Sequence, residues 1–138
     1  MTCSNGDNAF AHDITYENIS IEYDDQIPTP IIQKNDAEIY QNINPSYTPR
    51  LVDVGVYYFP EYSRGVLERG KNHNIIFKNI KLFANENQKI KVRVLGFDDE
   101  HKSSNIILDN LQFNGRKITD TQEIDLVVNE FCENVELK

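Results

Sequence analysis

The sequence has no tryptophan, one methionine and only two cysteines among 138 residues. Cys3 and Cys132 are too few for a disulfide framework or a metal-ligand set, so no metal and no cofactor is expected. If stacked coils separate them, they lie too far apart for the roughly 5.5–6 Å Cα spacing of a bridge, and two free thiols follow. Basic residues are scarce: 14 stand against 22 acids, for a net charge of −8. No basic run exists, which argues against nucleic acid as a partner. No apolar run approaches the roughly 20 residues of a membrane span, which argues against a membrane partner. The opening MTCSNGDNAF lacks the charged-then-apolar pattern of a signal peptide. Helical spacing is missing too, since no 3.6-residue apolar period persists beyond about ten residues. At 39% hydrophobic and 26% charged residues the chain is still too apolar for disorder, and its length suits one domain with a modest core.

What the chain does have is a repeat. Residues 13–21 read DITYENISI, residues 74–82 read NIIFKNIKL and residues 105–113 read NIILDNLQF. The three align without gaps. In each, two apolar residues alternate, an asparagine follows, and two more apolar residues alternate in the opposite phase. A straight strand keeps period two. One residue in the left-handed backbone region turns a corner and resets the pleat, and asparagine tolerates that region best after glycine. Asn18, Asn79 and Asn110 therefore read as corners. In stacked coils they would lie about one strand spacing, 4.8 Å, apart and form a side-chain amide ladder.

Other strand-like runs follow the repeats: Arg50–Phe59, Lys89–Phe97 and Glu123–Val128. In KIKVRVLGF, Ile90, Val92 and Val94 face one way, and Lys89, Lys91 and Arg93 the other. The segment 24–49 carries four of the five prolines and reads as a loop excursion with a helical stretch near 36–40. Gly65, Gly70 and Gly96 lie between units, where turns call for positive φ. Asn5-Gly6 and Asn114-Gly115 fall outside any hairpin between paired strands, which disfavours a Greek-key sandwich. The expected fold is all-β: a parallel β-helix of about three coils, forming one partial domain over residues 1–138.

The run from Asn74 to Ile118, with NIIFKNIKL and LGFDDEHKSSNIILDNLQFNGRKI, resembles the C-terminal coils of bacterial right-handed β-helix proteins of the pectin-lyase-like superfamily. The likeness is greatest to those related to the glycoside hydrolase family 28 polygalacturonases. HDITYENISIEY resembles a coil further upstream, and the resemblance covers about residues 12–118. It implies a piece of an extracellular or periplasmic enzyme acting on pectin-type polysaccharide, with the remainder of the parent β-helix as a partner. The family uses Asn-Thr-Asp, Asp-Asp, Gly-His-Gly and Arg-Ile-Lys motifs to place its carboxylates. This chain has Asp24-Asp25 and Asp98-Asp99 without the expected neighbours, and none of the other three motifs. No catalytic residue is carried over, and the chain alone is expected to be inactive.

Two groups of residues suit a polysaccharide or oligosaccharide ligand. Tyr57, Tyr58 and Tyr62 could stack on sugar rings, with Arg64 bonding hydroxyls; alternation allows only half of such a cluster to face out. Asp98, Asp99, Glu100 and His101 form the densest ionisable cluster. The competing reading is a polar turn in which Asp98 or Asp99 bonds local backbone N–H groups. Lys89, Lys91 and Arg93 offer a basic strip for an anionic glycan, or simply a solvated strand face. His12 and His73 occupy the same repeat position, as scaffold corner residues do. The alternative to the enzyme reading is a non-catalytic β-helix module that binds glycan or supports surface assembly.

Overall fold

The structure, a computed structural model, describes residues 1–23, 49–59 and 68–138. Most of the 24–49 excursion, with its helical stretch near 36–40, and Tyr62, Arg64 and Gly65 lie outside the described residues. Nine strands follow in order: β1 (Thr2–Asn5), β2 (Ala11–Glu22), β3 (Val52–Val56), β4 (Asn72–Phe83), β5 (Lys91–Leu95), β6 (Ser103–Phe113), β7 (Arg116–Lys117), β8 (Asp125–Val128) and β9 (Cys132–Leu137). The only described helical element is one 3-10 turn, Thr121–Glu123. One sheet has the order β1-β3-β5-β8. The other runs β2-β4-β6, with β7 and β9 both on the far edge of β6. Every pairing is parallel except β6 with β7. The protein is thus all-β, and its chain passes alternately between two sheets, four times.

Register puts like side chains above one another. Ile14, Ile75, Ile106 and Val135 form one column, and Tyr16, Phe77, Leu108 and Leu137 another. The Tyr16 and Phe77 rings stack with centroids 4.9 Å apart. Ile75, Phe77, Ile80 and Leu82 are all at 1% exposure or less, so both halves of β4 face the core across Asn79. Ile90, Val92 and Val94 fill the core from the opposite sheet.

Asn18, Asn79 and Asn110 have φ of 59°, 54° and 56° respectively. Asn79 Nδ2 donates to Asn18 Oδ1 at 2.9 Å, and Asn110 Nδ2 to Asn79 Oδ1 at 2.9 Å. Each long strand has a second corner as well. Asp13, Asn74, Asn105 and Asn134 have φ of 55°, 56°, 53° and 54°. They form their own ladder, with N···O distances of 2.9, 3.0 and 2.8 Å. This corner is silent in the hydropathy pattern. The inward residues that precede it in β4 and β6, Asn72 and Ser103, are polar, so the phase slip never shows as an apolar slip.

The two described inter-unit glycines do not have positive φ; of the described glycines, only Gly115 does. Gly70 and Gly96 are needed for space. A Cβ on Gly70 would sit 1.6 Å from the Ala9 carbonyl oxygen, and one on Gly96 2.0 Å from that of Phe131. Asn114-Gly115 is also a hairpin turn after all, with φ of 49° and 83° joining β6 to the antiparallel β7. Two successive positive φ values suit the tight turn that Asn-Gly favours. The fold-back lays Ile118 into the core at 1% exposure, its N–H on the Leu111 carbonyl. Both cysteines are free thiols.

Beyond β7, Asp120 caps the 3-10 turn and Glu123 closes a capping box. The Glu123 carboxylate pairs with Arg116 and takes the N–H groups of Thr119 and Asp120. Chiefly through Arg116, and then through those N–H groups, its pKa falls from 4.5 to about 2. A depressed folded pKa stabilises the folded state above the unfolded value of 4.5, and that stabilisation is lost as pH falls toward about 2. Carboxyl titration followed by NMR should place the Glu123 midpoint near 2. Glu123→Gln should flatten the stability-against-pH curve between those two values; an unchanged curve would contradict the arrangement.

Candidate functional site

Gly55 of β3 lies beside Leu95 of β5, so the segments leaving these strands turn the same corner on adjacent passes. The Tyr57–Tyr58 group lies in the first of these segments and the Asp98–His101 group in the second. Glu68 Oε1 lies 3.8 Å from His101 Nε2, which ties the two segments together.

Within this corner the side chains divide by what they already bond. Arg93 grips Asp53 with two parallel bonds, Nε to Oδ1 at 2.9 Å and Nη2 to Oδ2 at 2.8 Å. Tyr57 completes the group: its hydroxyl accepts from Arg93 Nη2 at 2.9 Å and donates to Asp53 Oδ1 at 3.1 Å. Burial, and then the Asp53 charge, push the Tyr57 hydroxyl pKa up, while the Asp53 bond holds Arg93 charged. Lys91 sits beside Asp125 in the ladder. Of the outward row Lys89, Lys91 and Arg93, Arg93 is thus spent on Asp53, and Lys91 has an acid beside it in register. Tyr57 lies against the sheet with its hydroxyl occupied.

Asp98 is likewise occupied. Its Oδ1 takes the N–H groups of Glu100 at 3.0 Å and His101 at 2.8 Å, and lies 2.7 Å from His101 Nδ1. Desolvation opposes ionisation here, but the His101 and Glu100 bonds together leave the Asp98 pKa below its ordinary value. Asp98 and His101 shape the turn, and Asp99 and Glu100 project into solvent. His12 and His73 stack ring on ring, 4.9 Å between centroids, with His12 Nδ1 on Asp13 at 2.7 Å.

What remains presentable is aromatic. Tyr58 is 39% exposed and has the Arg69 guanidinium 4.8 Å from its ring centre. Arg69 is itself buried and donates to the Gly6 carbonyl at 2.8 Å. Phe10, Phe59 and Phe97 are exposed large side chains in the segments that follow β1, β3 and β5, on three successive passes. Sequence reading missed Phe10, Phe97 and Arg69. The usable signal was positional: each aromatic stands a few residues past the end of a strand in the β1-β3-β5-β8 sheet.

No family model, no curated protein and no solved structure matches the chain. The physical arrangement must carry the reading. It contains no group of three or more His, Cys, Asp or Glu side chains able to hold a metal among the described residues. It does contain a rigid scaffold whose corner displays aromatic faces beside hydroxyl, guanidinium and carboxylate groups. Such faces stack on the apolar side of sugar rings, and polar neighbours bond the hydroxyls. A second feature is an open groove of about 320 Å³ along the outer face of the other sheet, floored by Thr15, Ile76 and Ile107 and walled by Asp13, Asn74 and Asn105.

Proposed function

We propose that the chain forms coils of a right-handed parallel β-helix of the pectin-lyase-like kind, belonging to a polysaccharide-degrading glycoside hydrolase of the polygalacturonase-like type. The catalytic coils lie outside this segment, which acts as scaffold and contributes glycan contacts. The observation that carries the reading is the paired register of Ile14, Ile75, Ile106 and Val135 between positive-φ corners, pass after pass. Right-handed crossovers are by far the commoner hand for parallel strands in one sheet. Glycan contact is assigned to the corner with Tyr58, Phe59, Phe97, Asp99 and Glu100. Tyr57, Asp98 and His101 hold that corner in shape. An extracellular or periplasmic site of action accords with such a substrate.

One observation favours the second reading, a non-catalytic glycan-binding or assembly module: Arg93, the guanidinium of the outward basic row, is already held by Asp53 and is not available to a polyanion. Titration with oligogalacturonate and with a neutral oligosaccharide, followed by NMR, tests both. The first reading expects shifts at Tyr58, Phe59 and Phe97 with oligogalacturonate, a several-fold weaker response in Tyr58→Ala, and no reducing-sugar release by the chain alone. Binding of the neutral sugar only would favour the module. Reducing-sugar release by the purified chain, or binding unaffected by Tyr58→Ala, would contradict the assignment.

A further inference from the structure

The two ends of the sheet stack are finished differently. At the β9 end, the antiparallel β7 and the parallel β9 divide the far edge of β6 between them. At the other end, β2 pairs with β4 alone among the described residues, and no described strand lies on the second edge of this twelve-residue strand. Tyr23, just past β2, sends its N–H to the Phe83 carbonyl of β4; the preceding N–H, on Glu22, therefore points to that second edge. The inward side chains Ile14, Tyr16, Ile19 and Ile21 are only half-buried, although their in-register counterparts Ile75, Phe77, Ile80 and Leu82 are fully buried. The Asn18 side-chain amide accepts from Asn79, and its own N–H donors bond nothing among the described residues.

We propose that the β2 edge is a strand-acceptor site for a parallel segment of defined chemistry. The occupant carries apolar side chains over Ile14, Tyr16, Ile19 and Ile21. It carries an amide over Asn18, to receive that unused donor. Over Asp13 it carries a hydrogen-bond donor, because the Asp13 carboxylate has no N–H to continue its ladder and already accepts from Asn74 and His12. Over Glu17 it carries a cation, continuing the outward column in which Glu17 pairs with Lys78 at 3.4 Å and Lys78 lies beside Asp109. Strand addition of this kind takes its affinity from main-chain bonds and its specificity from alternate side chains. Like charges directly opposed across strands are unfavourable, so the edge rejects a second copy of β2, which would place Asp over Asp13 and Glu over Glu17. The proposal rests on the β-helix part of the reading above and is independent of the substrate.

The probe is a synthetic peptide with the β4 sequence NHNIIFKNIKLF, compared with one of the β2 sequence AHDITYENISIE. Both share the apolar pattern and the central asparagine; they differ in charge over Asp13, Glu17, Ser20 and Glu22. The NMR spectrum of the labelled chain should shift at residues 11–22 with the first peptide. Affinity for it should exceed that for the second by about tenfold or more and weaken with salt. Equal affinity for the two peptides, shifts at β9 instead, or no shifts while Ile14–Ile75 methyl contacts persist would overturn the proposal and leave the β-helix reading standing. Concentration-dependent shifts of 11–22 without peptide would make a second copy the occupant and overturn it too. Loss of the Ile14–Ile75–Ile106 contacts in the free chain would overturn both.

Discussion

Leu82→Ala is expected to destabilise the fold by about 2–5 kcal/mol, while Phe83→Ala, one residue away, should cost about 0.5 kcal/mol or little more. Leu82 is at 1% exposure and Phe83 at 44%. By size and hydropathy alone the phenylalanine should matter more. Counting in twos from Phe77 along an unbroken strand would also put Lys81 and Phe83 inside and Ile80 and Leu82 outside. The corner at Asn79 reverses that order. For a domain with the ordinary stability of about 5–15 kcal/mol, the leucine loss is a large share of the total. Chemical denaturation of both variants would show it as a shift in midpoint. Equal losses, or a larger loss for Phe83, would mean that the strand runs straight through.

Replacing Asn79 itself separates backbone from side chain. Alanine at φ of 54° costs about 1–2 kcal/mol in backbone strain, and removing the side chain deletes two ladder bonds worth about 0.5–1.5 kcal/mol each. The sum is about 2–5 kcal/mol. Glycine accepts the backbone conformation and loses only the bonds, so Asn79→Gly should cost about 1–3 kcal/mol. Within an ordinary strand glycine is the worse of the two by about 0.5–1 kcal/mol. The inverted order, alanine worse than glycine, is the signature of a left-handed corner, and thermal or denaturant unfolding of the pair reads it directly.

The features legible in the sequence were those that leave an apolar trace. The phase slip around Asn18, Asn79 and Asn110 shows because both flanks of each corner are apolar. The corner at Asp13, Asn74 and Asn105 leaves no such trace, because Asn72 and Ser103 face inward as polar groups. β1 was missed for the same reason: its inward residues are Cys3 and Asn5, so TCSN carries no strand pattern. Gly70 and Gly96 looked like turn glycines, but the requirement comes from the backbone of a neighbouring pass, and no local pattern encodes that. The site was less legible than the fold. Asp53 and Arg93 are 40 residues apart and meet only through the β3–β5 register. Without that register, Arg93 looked available to a ligand and Tyr57 looked like a stacking face. Asp98 was readable as a turn former, since its partners are two and three residues away.

Functionally, the side chains able to meet a ligand are those that reach the surface. Tyr58, Phe59 and Phe97 are exposed aromatics, while Asp53, Arg93 and Tyr57 bond one another and Asp98 bonds His101. A rigid parallel stack explains why that corner keeps its shape: each segment is anchored on both sides by a strand paired in register.

The central claim is that successive passes lie parallel and in register, with the pleat reset at asparagine corners. Methyl-to-methyl contacts in a labelled sample test it most directly. The account predicts cross-peaks from Ile75 to both Ile14 and Ile106, and from Ile106 to Val135, with Ile80 joined to Ile19 and Leu111 in the same core. Contacts that instead pair each strand antiparallel with its sequence neighbour, leaving Ile14, Ile75 and Ile106 apart, would contradict it.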